Sequence, residues 1–204
     1  MERYVFTVRD GICIIDLLKT QVQLNNSIDF LKKTINPPTG GGGLVLFVSL
    51  TKQSSEKVRD LAESLNMPYV LDRWLGGTLT NFRVISERVK KLEEMEQAQK
   101  SGELEKYTKK ERTVFAKELA KMQTKFGGLK NLTRMPDAIF VSSLKESELP
   151  VHEAKKMGVK VVGIANTDSD PDDIDHVIPA NDRSKKSVDL IMEAIKNELV
   201  SNRE

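Results

Sequence analysis

Three alternating aspartates, a serine pair and two histidines are the side chains whose types could do chemistry here. Asp168, Asp170 and Asp172 alternate as calcium ligands do, yet Asp173 stands where such a loop needs glycine and Pro179 where it needs glutamate. Capping and turn duty suits Asp170-Pro171-Asp172 better, with a strand-end magnesium site as the competing reading. His152 and His176 are each remote in sequence from a Ser or Cys nucleophile, so no catalytic pair is displayed. Ser142-Ser143 at a strand end can bind a sugar phosphate, which keeps an enzyme or nucleotide-binding alternative open. Gly40–Gly43 follows a helical pattern and precedes a strand, the reverse of a phosphate loop, and reads as a flexible connector. Cys13, the single cysteine, lies in the apolar run Ile12–Ile15 and is expected to be a buried inert thiol. No disulfide framework or cysteine-rich metal site can form. We therefore expect no catalytic residue, no metal ligand and no cofactor.

The densest signal is Arg73-Trp74-Leu75-Gly76-Gly77-Thr78-Leu79-Thr80-Asn81-Phe82. It holds the only tryptophan and a Gly-Gly pair that lets the backbone turn or approach another group closely. Thr80 or Asn81 is placed to cap the helix that follows. Arg73 and Trp74 offer a cation and a flat apolar face, although Trp74 and Phe82 fit better as packing residues that fix the root of the following hairpin.

These residues must be positioned by an alternation of strands and helices. Tyr4–Val8 and Ile12–Ile15 read as short strands around an Asp10-Gly11 turn. A helix is predicted over Asp16–Ile35 with Leu17, Leu24, Ile28, Leu31 and Ile35 on one stripe, ended by Pro37-Pro38. Leu44–Val48 is a continuous apolar run, the pattern of a parallel strand buried on both faces. A helix capped by Ser54 or Ser55 and running to Leu65, then strands at Pro68–Val70, Ala138–Val141, Val159–Ile164 and His176–Pro179, continue the alternation. Helices near Val151–Met157 and Ser184–Val200 complete it. The spacing indicates a doubly wound, mostly parallel sheet flanked by helices.

Residues 84–126 carry no strand signal. Ile85, Val89 and Leu92, then Phe115, Leu119, Met122 and Phe126, repeat at helical spacing and predict two antiparallel helices packed as a coiled-coil hairpin. This divides the chain into an α/β domain over 1–83 and 127–204 and an insertion over 84–126. The insertion carries eleven Lys+Arg against eight Glu, a ratio that suits a solvated arm better than the sharper reading of basic residues touching phosphates. For the whole chain, 32 Lys+Arg against 30 Asp+Glu leaves a net charge of +2. Any binding to nucleic acid must therefore come from local clusters of charge. No apolar run approaches the length of a membrane span, and a soluble protein of a reducing compartment is expected.

Motifs along most of the chain resemble those of one family. Phe47-Val48 through Lys52-Gln53, Met67–Val70 and Arg73–Phe82 come in the order found there. So do Ser101-Gly102 with Tyr107–Glu111, Phe126–Lys130, Met135–Val141, Glu153-Ala154, Asp170–Asp172, Ile178-Pro179 and Asn181-Asp182. The set is similar to the small-subunit ribosomal protein S-two family (uS-two), in its bacterial or organellar branch. The resemblance implies a flavodoxin-like α/β domain with a protruding helical hairpin. It also implies a structural, non-catalytic role on the small ribosomal subunit, in the bacterial cytoplasm or an organelle matrix. The implied partners are small-subunit rRNA, neighbouring ribosomal proteins and the mRNA-binding protein S-one. Ser49-Leu50-Thr51-Lys52-Gln53, Ser142-Ser143 and Asn166–Ser169 depart from the family's usual residues. The chain begins at the strand aligned with Tyr4–Phe6, so contacts the family makes through a preceding segment are not carried over.

The mechanism expected is positioning, with Lys and Arg displacing counterions from the RNA backbone. The candidates are Lys52 after a buried strand, and Arg73, Asn81 and Arg83 around the signature turn. Arg88, Lys90, Lys91, Lys109, Lys110 and Arg112 are the candidates on the hairpin.

Overall fold

The computed structural model describes residues 1–37, 40–101 and 108–200. Five parallel strands form its centre in the order β4-β3-β5-β6-β7. These are β3 (Val45–Ser49), β4 (Tyr69–Leu71), β5 (Ala138–Val141), β6 (Lys160–Ala165) and β7 (His176–Pro179). Strand order reverses between β3 and β5, the topology of flavodoxin-like folds. Every residue of β3 and β5 is buried, as their unbroken apolar runs require.

Alternation along the strands sorts the core into two layers. Leu46, Val48, Ile139, Val141 and Val161 point to one face, packed with Trp74, Leu79, Val151 and Ala154. Val45, Phe47, Phe140, Val162 and Ile164 point to the other, packed with Ile28, Leu31, Val58, Leu61, Val188 and Ile195. The second layer comes from α1 (Leu17–Ile35), α2 (Lys52–Ser64) and α6 (Lys185–Val200); the first from α3 (Phe82–Lys100), α4 (Lys109–Phe126) and α5 (Glu148–Met157).

β1 (Val5–Arg9) and β2 (Ile12–Ile15) form a separate antiparallel pair around Asp10-Gly11, as the sequence predicts. Its exposure was not expected. Cys13 is exposed rather than buried, because the pair joins no other strand and lies outside both core layers. Leu17 likewise faces solvent instead of sharing the stripe of Ile28, Leu31 and Ile35. Asp16 caps α1 by accepting from Leu18 N and Lys19 N at 3.0 and 3.3 Å.

Two further local expectations are corrected. α2 begins at Lys52, with Thr51 in the cap position, so Ser54 lies inside the helix and its hydroxyl is spent on other hydroxyls. Gly43 is not a flexible linker residue: its N–H donates to Ile35 O, and a Cβ there would lie 1.7 Å from Thr34 O. Arg134 and Leu44 N close the same corner by donating to Asp137, at 2.8 Å each to Oδ2. Arg134 first of all, against the opposing effect of burial, holds the Asp137 carboxyl below its ordinary range. Pro38 of the predicted helix stop, and Gly102 and Tyr107 of the predicted hairpin tip, lie outside the described residues.

Between β4 and β5 the chain forms α3 and α4. Ile85, Val89, Leu92, Leu119 and Phe126 are buried, Phe115 and Met122 partly so, matching the seam read from sequence. The seam is continuous with the sheet's first core layer rather than separate from it. Glu96 fixes how far the root extends, accepting from Lys130 Nζ at 2.6 Å and from Gln123 Nε2 at 3.0 Å. The first four turns of α3 therefore lie against the body.

Candidate nucleic-acid interface

The signature decapeptide is folded around one carboxylate. Glu153, buried on α5, accepts at Oε1 from Trp74 Nε1 (3.0 Å) and Gly77 N (2.8 Å). Its Oε2 accepts from Leu79 N (3.0 Å), Thr80 N (3.2 Å) and Thr80 Oγ1 (3.3 Å). Gly77 reaches this geometry at φ +89°, where a side chain would be strained. Burial alone would raise the carboxyl's pKa, but the hydrogen bonds from Trp74, Gly77, Leu79 and Thr80 outweigh it and the net shift is downward. The Gly-Gly pair thus brings the backbone against a charged side chain 76 residues away in sequence. Trp74 is 6% exposed, so it packs and donates instead of offering a stacking face. Neither predicted cap operates through its side chain: Asn81 holds the cap position without a side-chain bond, and Thr80 is committed to Glu153.

With the loop anchored, Thr78 is buried and donates to Leu75 O, while the charged residues on either side reach solvent. Arg73, Asn81 and Arg83 are exposed, and Arg83 Nε meets Glu87 at 3.3 Å. Among the described residues Arg73 makes no ion pair. Lys52, also exposed, begins α2 directly after β3, while Arg73 follows β4. Because β3 and β4 are adjacent and parallel, both cations emerge at the carboxyl edge of the sheet, where Asp72 N donates to Ser49 O at 3.1 Å.

The hairpin candidates lie further along, on α3 and at the start of α4. Arg88, Lys90 and Lys91 are exposed on the body-bound turns of α3, whereas Lys109, Lys110 and Arg112 occupy the first turn of α4. A helical rise of 1.5 Å per residue puts Lys109 about 20 Å along α4 from Gln123, which bonds Glu96. Arg83 and Lys90 also carry Glu87 and Glu94 four residues on, so that face of α3 has mixed charge. The structure therefore yields a rim group (Lys52, Arg73, Asn81, Arg83), a proximal group (Arg88, Lys90, Lys91) and a distal group (Lys109, Lys110, Arg112).

The strand-end residues that suggested small-molecule chemistry are tied up internally. Ser54 Oγ contacts Ser49 Oγ at 2.6 Å and Ser142 Oγ at 2.8 Å, and all three residues are buried. Ser143 donates to buried Asp182 at 2.6 Å, and Asn166 donates to the same carboxylate at 3.1 Å. Asp168 meets Lys145 and Arg183, and Asp172 meets Arg3. Asp170 accepts from Asp172 N at 3.0 Å, the capping duty read from sequence. Among the described residues no group of three or more His, Cys, Asp or Glu side chains could hold a metal. His176 stacks on Phe30 with centroids 4.2 Å apart. The sequence reading had no separate role for Glu153. The available signal was Glu153-Ala154 itself, a charged residue where the apolar face of α5 turns inward.

Fold and site together define a flavodoxin-like α/β protein whose strand-end polar groups are consumed by structure. A model of the family described as ribosomal protein S2 matches residues 1–201, and the chain belongs to that family. It is a structural component of the small ribosomal subunit, as the motifs led us to expect, and the family binds small-subunit rRNA and ribosomal proteins. Among the described residues no helix is long and apolar enough to cross a membrane.

Proposed function

We propose that the chain contacts small-subunit rRNA through the rim and distal groups, with the proximal group adding a weaker contribution. The observation that carries this reading is the Glu153 anchor. It spends a buried carboxylate on holding the signature loop, and thereby fixes exposed Arg73 and the start of α3 relative to the sheet. Cations held on rigid backbone meet phosphates without a large ordering cost. The proximal group is weaker in this account because glutamates share its helix face.

Residues 1–83 and 127–204 form the α/β body in this reading, and 84–126 is a coiled-coil insertion whose root shares the body's core. The role is structural and non-enzymatic, exercised on the small subunit in the cytoplasm or an organelle matrix. Support for the mRNA-binding protein S-one rests on the motif resemblance, and recovery of S-one with subunits containing or lacking this chain tests it. The RNA reading is tested by titrating small-subunit rRNA at several salt concentrations. Lys52→Gln with Arg73→Gln is expected to reduce the magnitude of the log–log salt slope by about two. An unchanged slope would remove the rim from the footprint.

A further inference from the structure

Phe6, Val8, Ile12, Leu17, Leu18 and Val22 are each 57–76% exposed, all within the first 22 residues. They lie on the β1–β2 pair and the first turns of α1. Tyr4 is buried in the first core layer, and Asp16 N donates to Tyr4 O at 2.9 Å, so the pair is tethered at its root. Beyond that root it is a two-stranded sheet with both outer edges unpaired. Such a pair is marginal in water unless something covers it, and so concentrated an apolar surface marks an interaction site.

Charge at the same place indicates what covers it. The residues leading into β1 form one wall of a cleft of about 650 Å³, lined also by the loop Thr167–Asp172. Four carboxylates line it, those of Glu2, Asp168, Asp170 and Asp172, against two cations, Arg3 and the α-amino group of Met1. Arg3 is committed to Asp172 at 3.0 Å, and Asp168 is neutralised from outside by Lys145 and Arg183. Among the described residues Glu2 and Asp170 have no ion pair. An apolar sheet beside two carboxylates that make no ion pair suits a basic, apolar polypeptide better than a phosphate.

We infer that this surface docks an extended segment of a neighbouring small-subunit protein. The segment adds a strand to the open edge of β1, covers Phe6 and Val8, and places a Lys or Arg in the cleft between Glu2 and Asp170. That the neighbour is a ribosomal protein rests on the family membership above; the surface and the chemistry of its occupant do not.

Cys13, exposed on β2 and the only cysteine, allows a direct test. The full chain carrying a benzophenone on Cys13 is reconstituted into small subunits lacking it, irradiated, and the crosslinked peptide mapped. The expected product is a segment of another protein in which apolar residues adjoin Lys or Arg. Phe6→Glu with Val8→Glu is expected to lower that yield about tenfold. Both side chains are solvent-facing, so an unchanged circular dichroism spectrum is expected and serves as the folding control. Glu2→Gln with Asp170→Asn, which keeps the side-chain cap, is expected to lower the yield severalfold at low salt and little at high salt. Crosslinks to rRNA, to a second copy of the chain, or to an acidic segment would each overturn the inference. So would an incorporated chain that gives no crosslink, or yields indifferent to both double variants. Failure of the unmodified chain to incorporate at all would count instead against its place on the subunit.

Discussion

Replacing Glu153 by alanine removes one acceptor group from Trp74 Nε1, Gly77 N, Leu79 N and Thr80 N together. A buried donor left unpaired costs about 1–3 kcal/mol, and partial rehydration of the loop returns some of it, so we expect Glu153→Ala to lose about 3 kcal/mol in urea denaturation. Glu153→Gln is expected to lose less, since its carbonyl keeps one set of donors while its NH₂ opposes the other. A loss below about 0.5 kcal/mol for the alanine variant would show that the loop is held by something else. Proton binding at His176 and at depressed carboxylates, Glu153 among them with Asp137 and Glu96, lowers stability in acid. His176 is depressed by burial against Phe30, only partly offset by Asp175, so the unfolded chain binds its proton more readily. Its contribution is full above the unfolded value of about 6.5 and is lost as pH falls through that range. Glu153 is also depressed, so its contribution is full above the ordinary Glu range and is lost at lower pH, as its folded value is crossed. Stability is therefore expected to decline in two stages on acidification. His176→Gln should flatten the stage that sets in below about pH 6.5 and leave the lower one; a profile identical to that of the unaltered chain would contradict the assignment.

At the scale of elements, the strands and helices of the sheet were legible because β3, β5 and β6 carry long apolar runs and the helices between them carry clear stripes. What escaped the sequence were contacts between residues far apart along the chain. The close approach of Gly43 to Thr34 O depends on how α1 ends against β3, which no local pattern records. The exposure of Cys13 was missed for the complementary reason: Ile12–Ile15 has strand composition, and composition does not say whether a sheet accepts the strand. The apolar residues of α3 and α4 that the sequence singled out are buried or partly buried, but the anchoring of the pair at Glu96 rests on Gln123 and Lys130. Lys130, then Gln123, holds the Glu96 carboxyl below its ordinary range, so this anchor is charged at neutral pH. Replacing residues 97–118 by a short flexible linker is therefore expected to leave a cooperatively folding body with weakened subunit binding. Loss of the cooperative melt would place the distal turns in the core. Lys109→Gln with Lys110→Gln is expected to reduce the salt slope of rRNA binding with little change in melting temperature, because exposed charges contribute little to folding. If the slope is unmoved, those lysines face another protein or solvent.

The whole molecule resolves an apparent contradiction between a near-neutral chain and an RNA-binding family. Its net charge is +2, yet its carboxylates are unevenly placed. Glu2, Asp168, Asp170 and Asp172 gather beside the N-terminal pair, while Lys52 and Arg73 emerge from β3 and β4, with β5 and β6 between those strands and β7. In the reading we propose, one molecule presents an RNA-facing rim and a protein-facing edge. The ordered motifs made the family legible from sequence. The grouping of the cations was not, since their spacing along the chain does not reveal that Lys52 and Arg73 share a sheet edge while Lys109 begins α4. The most direct test of the account is sedimentation of small subunits lacking this protein after addition of the unaltered chain or a Lys52→Gln/Arg73→Gln/Arg83→Gln variant at moderate salt. The unaltered chain is expected to migrate with the subunit, and the folded variant to remain largely at the top of the gradient. An unaltered chain found only at the top would contradict its place on the subunit, and a variant migrating as fully as the unaltered chain would contradict the rim as its means of attachment.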